Sequence, residues 1–262
     1  MYNINLPHLP ARPVKPRKSG IAMVMDKGLS LKEAEHFIES SGEFTDFVKL
    51  GFGTSVVTPH VKEKVYLYKD AGIKVYAGGT LFEAFLIRDM VDGYRKFIDT
   101  LGLDTVEISD GSMSMDHNEK CGYIQLFSGS YTVLSEVGSK EAGVHIAPER
   151  WVKMMETELK AGSFKVIAEA RESGNVGIYK SSGEADTTLI DMILTRISND
   201  NIIWEAPIKS QQVWFIRHFG ANVNLGNIAT NEIIPLETLR LGLRGDTFFE
   251  FLPEELTKFK PR

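Results

Sequence analysis

The chain has little cysteine, no long apolar run and no excess of positive charge. Cys121 is the only cysteine among 262 residues, so no intrachain disulfide can form, and the reducing cytoplasm is the expected compartment. No apolar run approaches the ~20 residues of a membrane span, and the opening MYNINLPHLPARPVKPRKSG lacks the apolar segment of a signal peptide. No membrane association is therefore expected. The formal net charge is −5 with no long basic stripe, which gives little attraction for nucleic acid or anionic lipid. Histidine is sparse and scattered (His8, His36, His60, His117, His145, His218) with no paired spacing, so a zinc site is disfavoured. MDKGLS at 25–30 holds one glycine, too few for the dinucleotide-binding turn of an open doubly wound sheet.

What is present is ordinary bulk composition, 43% hydrophobic and 25% charged, in a chain long enough to bury a core unaided. Residues 1–18 carry prolines at 7, 10, 13 and 16, a density that prevents helix and points to an extended arm with no chemistry assigned to it. The remainder, 19–262, is expected to be one domain. Short β-branched apolar runs recur in it: IAMVM (21–25), FVKL (47–50), IKVYA (73–77), TVEIS (105–109), TVLSEV (132–137), KVIAEA (165–170), IIWEA (202–206) and NVNL (222–225). Amphipathic stretches separate them, as in 82–102. Eight βα units predict a parallel sheet closed as a single (β/α)8 TIM barrel.

Alternation along each strand decides which side chains enter the barrel. Asp26, Lys49, Glu107, Ser109, Glu136, Glu169, Arg171, Glu205 and Asn224 are expected on inward faces near the C-terminal mouth, where active sites of this fold are built. A satisfied ion-pair network is the plain alternative for any one of them. Taken together, five carboxylates against two cations leave net negative charge that a divalent cation would offset, and an all-oxygen donor set suits magnesium. Glu107, Glu136, Glu169 and Glu205 are the metal candidates. SQQ (210–212) opens a predicted helix and NLGNI (224–228) follows the predicted last strand, which offers an anion site at free backbone N–H groups or else plain turn and capping chemistry.

Several motifs in order carry a family resemblance: MDKGL (25–29), VKLGFGTS (48–55), GGTLFE (78–83), VEISDGS (106–112), SEVGSK (135–140), VIAEARESG (166–174), EAPIKSQQ (205–212), VNLGNI (223–228) and LETLRLGLRGDT (236–247). The chain resembles the phosphosulfolactate synthase family from about Ser19 to Phe251. The resemblance implies a magnesium-dependent barrel lyase that adds sulfite to phosphoenolpyruvate, giving (2R)-phospho-3-sulfolactate. In archaeal members this leads to coenzyme M, in some bacteria to sulfolactate, and the family also includes plant heat-stress-associated proteins. SEVGSK looks like the bacterial branch. By the same resemblance Lys140 is the proton donor, with Glu169 beside it in the catalytic set. Lys49, Arg171, Asn224, Gly226 and Asn227 are read as holding the anionic substrates. A homo-oligomer is expected. Two other readings stay open: a barrel lyase or aldolase acting on another phosphorylated molecule, with Lys140 as a Schiff-base lysine, and a non-catalytic stress-associated homologue.

Overall fold

The structure is a computed structural model, and it describes residues 3–138, 146–171 and 173–260. Eight parallel strands alternate with helices: β1 (Ala22–Asp26), β2 (Phe47–Leu50), β3 (Lys74–Ala77), β4 (Thr105–Ile108), β5 (Thr132–Val137), β6 (Lys165–Ala168), β7 (Ile202–Glu205) and β8 (Leu225–Ala229). The helices among the described residues are α1 (Leu31–Ser41), α2 (Val61–Asp70), α3 (Gly79–Leu86), α4 (Val91–Leu101), α5 (His117–Ser128), α6 (Pro148–Ala161), α7 (Thr187–Leu194), α8 (Lys209–Phe219) and α9 (Ile233–Arg240).

The hydrogen-bonded strand order is β3-β2-β1-β8-β7-β6-β5-β4. The two end strands β3 and β4 lie against each other, so the sheet curls into a nearly closed (β/α)8 barrel. The amphipathic stretch 82–102 is two helices rather than one. The turn between α3 and α4 passes through Asp89 in the left-handed region (φ 55°).

Both faces of each strand are buried, which is why the strands read as near-continuous apolar runs. One face packs against the helices. The other fills the barrel with Ile21, Met23, Phe47, Tyr76, Leu134, Ile167 and Ile203, all at most 3% exposed. Two residues further along the same strand faces come Met25, Lys49, Glu136, Glu169 and Glu205. The barrel interior therefore changes from apolar to charged within one repeat of the strand alternation.

The opposite, N-terminal end is sealed by polar side chains. Asn224 accepts from Ile21 N (3.1 Å) and donates to Asp200 O and Ile202 O. The fully buried Arg240 donates to Ala221 O, Val223 O and Ile21 O. Burial, with Arg12 adding to it, lowers its pKa to about 9. From the proline-rich segment, Arg12 pairs with Glu237 and Arg17 with Asp46.

Candidate active site

A cavity of about 650 Å3 opens at the C-terminal end of the strands, lined by Met25, Lys49, Phe52, Gly78, Thr80, Ser112, Glu136, Glu169, Arg171, Ser173, Glu205 and Asn227. Glu136, Glu169 and Glu205 come from the ends of three adjacent strands, β5 to β7. Each can offer an oxygen such that the three oxygens lie within 4.8 Å of one another, and all three residues are buried.

Lys49 stands at the edge of this group. Its Nζ is 3.0 Å from Glu107 Oε2, 3.2 Å from Glu136 Oε2 and 3.7 Å from Glu205 Oε1. Burial alone would drive the ammonium toward neutrality, but Glu107, Glu136 and Glu205 outweigh it and hold its pKa well above the usual lysine value. Glu205 is instead pushed toward its neutral form: burial, opposed by Lys49 and reinforced by Glu136, lifts its carboxyl to about 7.

Backbone donors fix the carboxylates. Glu205 Oε2 accepts from Ala170 N (2.9 Å), Glu169 Oε1 from Arg171 N (2.7 Å) and Glu107 Oε1 from Gly79 N (2.6 Å). Glycine is required where the chain passes closest. A Cβ on Gly138 would lie 2.5 Å from Glu169 Cβ at a φ of +142°, and one on Gly177 would strike the Glu169 carbonyl.

The sequence-derived site divides accordingly. Glu136, Glu169, Glu205, Lys49, Arg171 and Asn227 meet at the cavity. Glu107 is adjacent, committed to Lys49 and Gly79, and lies outside the three-carboxylate group. Lys49 holds glutamates together, where an anion contact was expected. Lys140 lies outside the described residues.

Asp26 is a correction. It faces α2, where Lys64 Nζ (2.8 Å) and Tyr68 OH (3.0 Å) meet its carboxylate, because Met23 and Met25 are the inward residues of β1. Both faces of that strand are apolar, so alternation alone left its phase undetermined.

Asn224 is a second correction: it closes the N-terminal end, across the barrel from the cavity. Gly226 is a third, since it is not in a turn beyond the last strand. It sits within β8, pairs with Glu205, and gives its carbonyl to Ala206 N (2.9 Å). A Cβ there would meet Met23 Cε at 2.6 Å, so the glycine makes room for a side chain. The start of α8 at 208–212 does not line the cavity either.

Residues that sequence reasoning did not single out include Phe52, Thr80, Ser112 and Ser173 on the cavity wall. Ser112 is held by Glu83, which accepts from Ser112 N (2.8 Å) and from Ser109 Oγ. All lie within the quoted motifs or their loops, but polar loop residues carry no alternation to mark them.

The family model described as (2R)-phospho-3-sulfolactate synthase (ComA) matches residues 10–246. The chain belongs to the phosphosulfolactate synthase family. It is 44% identical to the phosphosulfolactate synthase of Methanothermobacter thermautotrophicus over 91% of this chain and 95% of that one. The Bacillus subtilis phosphosulfolactate synthase is 42% identical over 92% and 97%. The Arabidopsis thaliana protein HEAT-STRESS-ASSOCIATED 32 is 24% identical over 87% and 88%. The chain is thus an enzyme of the carbon–sulfur lyase class, as the family is.

Among solved structures, 3-hexulose-6-phosphate synthase from Salmonella typhimurium is similar with a TM-score of 0.52 at 16% identity, covering 84% of this chain and 99% of that one. The 3-keto-L-gulonate-6-phosphate decarboxylase of Vibrio cholerae gives 0.51 at 11% identity, covering 89% and 98%. At these identities the likeness concerns the barrel alone. No helix among the described residues is long and apolar enough to cross a membrane.

Proposed function

We propose that the chain catalyses the magnesium-dependent addition of sulfite to phosphoenolpyruvate, giving (2R)-phospho-3-sulfolactate. The observation that carries the reading is the convergence of Glu136, Glu169 and Glu205 on one point of the mouth cavity in a member of this family. A buried all-carboxylate set fits a hard divalent cation and gives no soft ligand for zinc or copper. Bound there, magnesium would act as a Lewis acid for charge developing on the substrate carboxylate.

The chain's own groups do the rest. Backbone N–H groups of Ala170 and Arg171 hold Glu205 and Glu169 in place for the cation, and Lys49 keeps Glu136 and Glu205 from repelling one another. Arg171, at the rim, presents a planar guanidinium suited to a phosphate, sulfite or carboxylate. The Asn227 amide, nine-tenths buried at the cavity wall, supplies a neutral polar contact. Lys140 is assigned the proton that reaches the phosphate-bearing carbon. The apolar lower barrel, from Met23 to Ile203, keeps bulk water from approaching the carboxylates from below.

The proposed setting is a cytoplasmic homo-oligomer, in keeping with the single cysteine and the exposed Phe52, Val56 and Val57 of one loop. The test is consumption of phosphoenolpyruvate by purified protein. Loss that needs both sulfite and magnesium, and that falls about a hundredfold or more in Glu136→Gln, is expected. Folded, magnesium-loaded protein that consumes none with sulfite present would refute the reaction.

A further inference from the structure

The helix start at 208–212 faces away from the mouth, against the back of the loop that joins β6 to α7. That loop carries Arg171 and Ser173 on its cavity side. Behind it lies a separate pocket of about 480 Å3, bordered by Tyr179, Lys180, Gly183, Ser210, Gln211 and Trp214.

Gln211, only 2% exposed, reaches across from the first turn of α8. Its Nε2 donates to Gly174 O (2.7 Å) and to Gly183 O (3.2 Å), so one amide grips two points of the loop. Gly174 N in turn donates to Arg171 O (3.3 Å), closing the turn on which Arg171 sits. Arg171 holds a φ of +50°, a left-handed conformation that costs a non-glycine residue energy and persists only where its surroundings impose it. Two hydrogen bonds thus run from Gln211 through Gly174 to Arg171. The contact is tight: a Cβ on Gly174 would come within 2.6 Å of Gln211 Nε2.

We propose that Gln211 is a positioning residue that sets the affinity of the mouth for an anion by holding the Arg171 turn from behind, without touching the anion. The rest of the loop has its own ties. Ile178 N donates to Glu169 O (3.1 Å) and Tyr179 OH to Glu205 O (2.7 Å). Loss of Gln211 therefore loosens the anion wall and leaves Glu136 and Glu205 where they are; of the three carboxylates only Glu169, which accepts from Arg171 N, shares the loosened turn. Such a change raises KM more than it lowers kcat.

The inference rests on the proposed binding of a phosphorylated acid at the mouth, and its test separates the two. Binding of phosphoenolpyruvate is measured by calorimetry with magnesium and without sulfite. Amide hydrogen exchange is followed at residues 173–183. Gln211→Leu keeps the side-chain bulk and removes the donors. It is expected to weaken binding about tenfold, the loss of roughly one buried hydrogen bond, and to speed exchange in that segment. Combined with Arg171→Ala it should weaken binding no further than Arg171→Ala alone. Gln211→Met, which keeps the length of the side chain and has no N–H to donate, should reproduce the effect and replaces Gln211→Leu if that variant does not fold. Unchanged affinity, or a loss additive with that of Arg171→Ala, overturns the role of Gln211. If wild-type protein does not bind phosphoenolpyruvate, the substrate reading fails on its own. Exchange then decides: faster exchange in the variant supports Gln211 as the tie that holds this loop, and unchanged exchange overturns it.

Discussion

Glu205 shows how one carboxyl can link pH, folding and metal binding. Its pKa rises from 4.5 toward about 7 because burial disfavours the anion, an effect that Lys49 only partly offsets. A group whose folded-state pKa is raised contributes stability that is complete below its unfolded value and is lost as pH rises through the folded one. In metal-free protein this contribution should therefore be complete below about pH 4.5 and lost as pH rises through about 7. A divalent cation bound at the proposed site would take the place of that proton. The increase in Tm on adding magnesium should thus be larger at about pH 8 than at about pH 6, and scanning calorimetry of the two conditions checks it. An increase independent of pH would place the cation away from Glu205. Lys49 was legible in the sequence as an inward-facing cation. Its partners were not, because three carboxylates separated by up to 98 positions meet it only once the strands are in order.

Elements bring a second set of charges together outside the cavity. Lys120 on α5 is fully buried. Its Nζ meets Asp110 (2.9 Å), Glu158 on α6 (2.9 Å) and the carbonyl of Glu136 at the end of β5 (2.6 Å). Burial opposes the ammonium, but Glu158 and Asp110 outweigh it and raise its pKa. Lys120→Met should cost about 3–5 kcal/mol in urea unfolding, because Glu158 is left as a buried charge without its counter-ion. The pair Lys120→Met with Glu158→Leu should recover much of that loss, and a double variant as unstable as the single one would contradict the account.

The strands themselves were readable from β-branched runs, and seven of the eight begin within a residue of where the pattern puts them. The eighth starts three residues later than NVNL suggests, because Asn222 and Asn224 are bonded to the N-terminal face and only then does the chain join the ladder. That shift is what moved Gly226 from an expected turn into the sheet. The break between α3 and α4 was hidden for a related reason: apolar spacing continues through it, and only the backbone turn at Asp89 interrupts the helix.

At the scale of the whole molecule the barrel separates stability from chemistry by its two ends. Asn224 makes three hydrogen bonds at the closed end, two of them fully buried, and the glutamates stand at the open one. Asn224→Ala should lower stability by about 2 kcal/mol and leave kcat/KM unchanged. Denaturant unfolding alongside steady-state kinetics measures both, and a loss of activity in protein that stays folded would return Asn224 to the site.

Strand pairing continues from β4 through β8 and on to β3, with a register shift between β1 and β8, leaving one seam between β3 and β4. Near the mouth a side chain crosses that seam, where Glu107 of β4 takes the N–H of Gly79, just past the end of β3. The wall is thus a rolled band with one stitched edge. The arc from β5 to β7 that carries Glu136, Glu169 and Glu205 is held by continuous ladders. A cation entering the mouth would meet carboxylates rooted on a backbone arc whose spacing the ladders fix, so its preferred ionic radius would be set by that arc.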